Sequence, residues 1–267
     1  MVKSSVHRTN MIGGGEVSAI SVDVDKRSIH ETNSLFWDTK GNDVLGATAL
    51  PLYGAFVSEE KCQLFGDVSG KKMLEIGCGS GESLKYLGER KASELWGMDL
   101  SENQIKKTKQ HLAACGLSAT LICSPMEEEC GIPKDYFDFV YSIYAVGWTT
   151  DLEGTFRQIA SYLKKDGVFI FSWSHPIHKC VAPEDDRLVF KKCYFDESWY
   201  SVNLGESTLT LSDRKLSTYV NALTKQGFVI EQLIEESDDE IMQSSNGDFA
   251  KKAKMLPVTF IIKARKL

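Results

Sequence analysis

The sequence predicts a doubly wound α/β fold, with a mostly parallel sheet of seven strands joined by right-handed crossovers. Three observations carry this. Between Lys71 and Ser174, short apolar runs alternate with segments whose apolar residues recur at helical spacing. The first run, Met73–Ile76, passes straight into Gly77-Cys78-Gly79-Ser80-Gly81. The second, Leu95–Met98, ends on Asp99.

The chain of 267 residues is 42% hydrophobic and 25% charged, enough for a real core and unlike a collagenous or disordered chain. Its net charge of −6 argues against nucleic acid or an anionic membrane as the main partner, since both are held by Lys/Arg patches. No window reaches the ~20 apolar residues of a bilayer span. Residues 1–20 lack the apolar stretch of a secretory leader. The seven cysteines (Cys62, Cys78, Cys115, Cys123, Cys130, Cys180 and Cys193) form no Cys-x-x-Cys pair. Reduced thiols in a cytoplasmic protein are expected, with neither a disulfide framework nor a bound metal.

The elements follow in order. Residues 1–34, with Gly13-Gly14-Gly15, are expected to be a loose tail in which Val17–Val24 alternates only weakly. Residues 35–70, with Phe36, Trp37 and Tyr53, read as a helical cap. After the glycine-rich turn, Leu84 and Leu87 start a helical stripe. Ser101 and Gln104 have capping-box spacing ahead of Ile105, Thr108, Leu112 and Ala113, and Gly116 ends that helix. Thr120–Cys123 is a third strand and Phe139–Ile143 a fourth. Thr150-x-x-Glu153 is expected to cap a helix carrying Leu152, Phe156, Ile159, Ala160 and Leu163, with Lys164 and Lys165 in its last turn. Asp166-Gly167 turns the chain into a fifth strand, Val168–Trp173. Residues 177–214 break the rhythm as an insertion rich in aromatics and charges. A helix over Leu216–Gln226, stopped by Gly227, and strands over Phe228–Ile234 and Val258–Ala264 complete the sheet. The expected division is therefore tail 1–34, cap 35–70, ligand-binding core 71–176, insertion 177–214 and sheet completion 215–267.

A dinucleotide-binding turn wants Gly-x-Gly-x-x-Gly, with the third glycine beside the pyrophosphate. That position is Glu82, and an anionic side chain on the helix's first turn disfavours a phosphate. The order is instead Glu75-x-Gly77-x-Gly79-x-Gly81, with Asp99 eighteen residues beyond the last glycine. Leu74-Glu75-Ile76-Gly77-Cys78-Gly79-Ser80-Gly81 followed by Asp99 resembles the class I S-adenosylmethionine-dependent methyltransferases. The chain is similar, within that family, to small stand-alone enzymes related to quinone-biosynthesis methyltransferases.

The resemblance implies a Rossmann-like methyltransferase fold and S-adenosyl-L-methionine as cofactor, leaving S-adenosyl-L-homocysteine as product. It implies that Gly77, Cys78, Gly79 and Gly81 let backbone pass under the methionyl part. Glu75 orients the loop and the ammonium end, and Asp99 grips the ribose hydroxyls. Leu100 flanks the adenine, and Ser124 and Met126 contact it. Many relatives carry an acidic residue near the Ser124 position, and Cys123-Ser124-Pro125-Met126 departs from this. Ser142, Ile143 and Tyr144 end the fourth strand, where donor and acceptor meet.

On the acceptor side, Trp37, Tyr53 and Trp148 are candidates to lean on a sulfonium, with plain packing as the alternative. His175, after the fifth strand, is a candidate proton acceptor or a turn histidine bonded to backbone. His175 and Tyr53 are thus the candidate catalytic residues, and Trp37, Tyr144 and Trp148 the candidate substrate contacts. Cys78 reads as a small packing residue. The aromatics of residues 190–200 form either a lid or a satellite core. Ser142-Ile143-Tyr144-Ala145 is unlike the Asn/Asp-Pro-Pro-aromatic stretch of amino-directed nucleic-acid enzymes, and no Pro-Cys occurs. Methyl transfer to a small-molecule acceptor by in-line displacement is therefore expected. An NAD(P)-dependent oxidoreductase and a non-catalytic donor-binding protein remain the alternatives.

Overall fold

A computed structural model describes residues 8–12, 15–21, 25–39, 48–184, 187–204, 207–243 and 248–267. Gly13, Gly14 and the end of the Val17–Val24 stretch lie outside the described residues.

The central sheet holds seven strands: β5 Lys72–Ile76, β6 Glu94–Asp99, β7 Thr120–Cys123, β8 Phe137–Ile143, β9 Leu163–Ser174, β14 Phe228–Ile234 and β15 Thr259–Lys266. Their order is β14-β15-β9-β8-β5-β6-β7. β5 to β9 pair in parallel, while β15 runs antiparallel to both β9 and β14. The chain steps outward from β5 to β7, then returns to β8 on the other side of β5. The strand order reverses there, and open α/β sheets bind ligands outside the carboxyl ends of strands at such a point. Two short hairpins stand outside this sheet, β3 Leu52–Gly54 with β4 Val57–Ser58 and β10 Val181–Glu184 with β11 Arg187–Phe190.

Alternate residues feed two cores, as a pleat of period two requires. Leu74, Val140, Phe169 and Phe171 pack against Phe156 and Ile159 of the helix Leu152–Tyr162 and Tyr219 and Leu223 of the helix Leu216–Lys225. Met73, Tyr141 and Ile170 pack on the other face with Leu84, Leu87 and Leu112 from the helices Glu82–Glu89 and Glu102–Ala114. Burial on both faces is why these strands read as continuous apolar runs.

The N-terminal segment differs from its expectation. The proposed boundary at residue 34 falls inside the helix Lys26–Thr39, which buries Ile29, Asn33 and Phe36. Before it, β1 Arg8–Ile12 pairs with β2 Gly15–Ser21. β2 in turn pairs with β12 Trp199–Leu204, whose hairpin partner is β13 Ser207–Ser212. The start of the chain and the insertion therefore build one four-stranded antiparallel sheet. Asn33 fastens the helix to it, donating to the Thr210 carbonyl and accepting from the Thr210 N–H, both at 2.8 Å. Phe36, Tyr200, Val202, Leu209 and Leu211 form the small core between them.

Two local corrections concern the helix Leu152–Tyr162. Its N-cap is Asp151, whose carboxylate accepts from the Gly154 N–H at 2.9 Å, and not Thr150. It ends at Tyr162, so Lys164 and Lys165 lie in β9, because Leu163 is drawn into pairing with Phe137 of β8. Ser101 does cap the helix Glu102–Ala114, accepting from the Gln104 N–H. No helix among the described residues is long and apolar enough to cross a membrane.

Candidate active site

A cleft open to solvent lies at the carboxyl ends of β5 to β8. Its floor is the turn after β5. Gly77 sits at φ +74, and a Cβ there would lie 2.2 Å from the Ala145 Cβ, so only glycine lets the turn close on the segment after β8. The Gly77 and Cys78 N–H groups donate to the Met98 carbonyl, and the Gly79 N–H donates to Asp99 Oδ2 at 2.9 Å. Asp99 Oδ1 accepts from the Ser101 N–H, also at 2.9 Å. Asp99 thus ties the glycine-rich turn to the start of the next helix.

Glu75 is only 2% exposed, yet its side chain borders the cleft. Tyr141 Oη donates to it at 3.3 Å, and Ser83 also hydrogen-bonds it while accepting from the Leu50 N–H. Burial pushes the Glu75 carboxyl well above its usual range, and the hydroxyl donors only partly oppose this. Burial also raises Asp99, against the lowering effect of the Ser101 and Gly79 N–H groups.

The helix Lys26–Thr39 roofs the cleft with His30, Asn33 and Trp37, spaced along one face. The helix is pinned at its other end, where Asp38 accepts from Ser101 Oγ and from the Asn103 N–H. Beyond β8, rings line the inner end. Trp37 packs edge-on to Trp148 at 5.5 Å, Trp148 to Trp173 at 5.7 Å, and Trp173 lies 5.4 Å from Tyr144.

Most of the expected residues meet here. Glu75, Gly77, Cys78, Gly79, Asp99, Leu100, Ser124, Met126 and Ile143 border the cleft, as do Trp37, Tyr144 and Trp148. Four residues stand apart. Gly81, at φ +86, is the N-cap of the helix Glu82–Glu89 and packs on Thr108. Ser142 Oγ donates to the Ile76 carbonyl at 2.9 Å, fastening β8 to β5.

The other two, both proposed as catalytic, lie off the wall. Tyr53 is fully buried and donates to Glu59 Oε2 at 2.6 Å, while the same carboxylate takes the Leu64 and Phe65 N–H groups. This is a structural knot rather than a site. His175 caps the short helix Pro176–Cys180, its Nδ1 accepting from the Ile177 N–H and its Nε2 lying 2.6 Å from Glu235. It is the turn histidine of the two readings offered. In the insertion, Tyr200 belongs to the satellite core, whereas Phe190 and Phe195 face solvent.

Sequence reasoning missed His30, Glu127, Thr149 and Trp173, which also border the cleft, as does Glu82. Glu82 was legible as a first-turn carboxylate. His30 and Glu127 meet across 97 positions, and no local pattern announces that.

The charge around the cleft decides what it can hold. Four carboxylates, Glu75, Glu82, Asp99 and Glu127, border it, and among the described residues no Lys or Arg does. Such a wall suits a ligand carrying positive charge and hydroxyls, and it disfavours a pyrophosphate. Gly79, at φ +51, has only open space where a Cβ would point, so the turn leaves room for a ligand to pass.

Comparison with known proteins agrees. The methyltransferase domain family matches residues 74–171. Residues 74–171 thus carry a methyltransferase domain. The carboxylate-lined cleft fits a ligand that carries positive charge. A crystal structure of an S-adenosylmethionine-dependent methyltransferase from Mesorhizobium loti superposes with a TM-score of 0.66 at 24% identity, covering 77% of this chain and 95% of that one. An uncharacterized protein of Haemophilus influenzae is 28% identical over 76% of this chain and 84% of its own length. A ubiquinone biosynthesis O-methyltransferase of a Bradyrhizobium species is 29% identical over 51% of this chain. That match spans only 56% of the Bradyrhizobium enzyme.

Proposed function

We propose that this chain is a class I S-adenosylmethionine-dependent methyltransferase, which alkylates a small-molecule acceptor held against the rings of Trp37, Tyr144, Trp148 and Trp173. The observation that supports it best is that carboxylates and aromatic rings line one and the same cleft. In this reading Glu75 faces the ammonium group of the donor, and Asp99 takes its ribose hydroxyls. Leu100, Ser124 and Met126 enclose the base, and Cys78 and Gly79 form the floor. Gly81 and Ser142 act indirectly, by holding the helix start and the β5–β8 junction. Seven cysteines without a disulfide support a reducing, cytoplasmic setting.

The bound cofactor supplies an electrophilic methyl group on a sulfonium. The chain's own contribution is then mainly placement. The Gly77–Ala145 contact sets the turn after β5 against the segment after β8, and the Arg214 bonds to the Gly147 and Thr149 carbonyls hold that segment in place. Orientation of this kind supplies much of the acceleration in bimolecular reactions. The ring wall and the helical roof exclude water from the reacting end.

A thermal-shift comparison tests the reading. S-adenosylhomocysteine raises the Tm and NAD does not, because ligand stabilisation follows concentration over Kd. Asp99→Ala reduces the shift to that of a ligand bound roughly 10- to 100-fold more weakly, the range for lost hydrogen bonds to a charged group. Stabilisation by NAD alone overturns the assignment in favour of an oxidoreductase. Turnover of labelled methyl groups into any small acceptor separates an enzyme from a passive donor-binding protein.

A further inference from the structure

Outside the residues assigned above, one cluster borders the cleft and has no assigned role. His30 Nε2 lies 3.0 Å from Glu127 Oε1 and 3.2 Å from Thr150 Oγ1. Glu127 Oε1 also accepts from the Thr150 N–H at 3.0 Å and from the Thr150 hydroxyl. Carboxylate and imidazole are both largely shielded, with side-chain exposures of 9% and 18%.

The chemistry of this arrangement is specific. An ionised carboxylate can only accept, so a neutral His30 carries its proton on Nε2 and keeps a lone pair on Nδ1. Among the described residues no hydrogen bond to Nδ1 is present. The aromatic wall is adjacent. Trp148 touches Trp37, and Thr150, two positions on, touches His30 two helical turns before Trp37. Rings and imidazole therefore flank the same part of the cleft.

We infer that His30, oriented by Glu127, is the proton acceptor for a planar, largely apolar acceptor molecule bearing an ionisable hydroxyl. The hydroxyl proton moves to His30 Nδ1, and the oxygen keeps the electron pair. The resulting imidazolium is balanced by Glu127. Alkylation then forms the oxygen–methyl bond and breaks the sulfur–methyl bond, whose pair stays on sulfur, so only that one proton needs a base in the chain.

The surroundings suit the task. The Glu127 hydrogen bond raises His30 above its ordinary range, outweighing the burial that lowers it. Glu128 acts in the same direction, and Lys26, one turn earlier on the same helix and paired with Asp151, opposes it. For Glu127, burial pushes the carboxyl up, but the His30 and Thr150 hydrogen bonds prevail and leave it lowered. A base oriented and balanced by a neighbouring carboxylate is a usual arrangement for this role.

This inference rests on the methyltransferase reading, and the test separates the two. The probe is 4-nitrophenol, whose phenolate absorbs visible light, added at about pH 6 to protein saturated with S-adenosylhomocysteine. The phenolate-to-phenol ratio of bound probe rises roughly tenfold over free probe, one pK unit. His30→Gln, with its fold checked by circular dichroism, abolishes that rise, and Glu127→Gln weakens it. A probe that fails to bind the saturated protein, or binds without ionising, overturns the inference. So does ionisation that survives His30→Gln. Failure of S-adenosylhomocysteine itself to bind strikes the underlying reading instead.

Discussion

Glu75 is a buried carboxyl that borders the cleft. Its carboxyl is buried and held well above the usual range, so the ligand-free protein keeps a proton there that an unfolded chain would release. Stability from this residue accordingly falls as pH rises from the unfolded value, near 4.5, toward the folded one. Glu75→Gln removes that pH-dependent loss. The variant is expected to match or exceed the parent Tm at about pH 8 while binding S-adenosylmethionine at least roughly tenfold more weakly. Thermal denaturation and calorimetry report the two effects separately. A variant with lower Tm and unchanged affinity contradicts the role. Asp99 differs, because both its oxygens already take backbone N–H groups. Replacing it disturbs the turn as well as the ligand contact. The sequence showed both carboxylates, since their places after strand-like runs are local facts. It could not show that Tyr53 turns inward to Glu59 or that His175 caps a helix, because each depends on partners that sequence spacing leaves open.

At the scale of elements, the segment after β8 is held from outside the parallel core. Arg214, only 8% exposed, donates to the Gly147 and Thr149 carbonyls at 3.1 and 2.6 Å, and its guanidinium lies over Trp199 at 5.6 Å. Arg214→Met leaves those carbonyls unpaired, at a cost of about 2–3 kcal/mol. Chemical denaturation is expected to show that loss, with acceptor-side affinity falling more than donor affinity. The strands β5 to β9 were legible because burial on two faces leaves uninterrupted apolar runs. The N-terminal helix was not legible as part of the wall. Its buried face includes Asn33, a residue type usually found in water, whose hydrogen bonds go to a strand 177 positions away. Helix Lys26–Thr39 packs through few apolar side chains and two polar anchors, Asn33 and Asp38. Its amides are therefore expected to exchange faster than those of β5 or β8, and to slow on addition of S-adenosylhomocysteine. Hydrogen exchange with mass spectrometry measures this. Equal rates with and without ligand contradict the helix's place in the binding wall.

For the molecule as a whole, the cleft is assembled from regions far apart in the chain: the helix near the start, the parallel core, and the segment after β8 that Arg214 steadies from the end of the insertion. The domain-like division expected from sequence dissolves at this point, since β2 and β12 share one sheet. Charge unites the parts. With carboxylates around the cleft and no basic side chain on its described wall, affinity for a cationic ligand is expected to weaken as salt rises, and affinity for its net-neutral thioether product to change little. Titration calorimetry across ionic strength measures the ratio. A salt-independent ratio contradicts it.

Those carboxylates have a bearing on traffic through the cleft. Phosphorylated nucleosides share the adenosine portion of the ligand but bring negative charge, so the wall repels them without any dedicated steric gate. In the proposed reaction each turnover removes the sulfonium charge and leaves the ammonium, so the product loses part of the attraction that drew the cation in. One row of acids thus both screens arrivals and hastens departures.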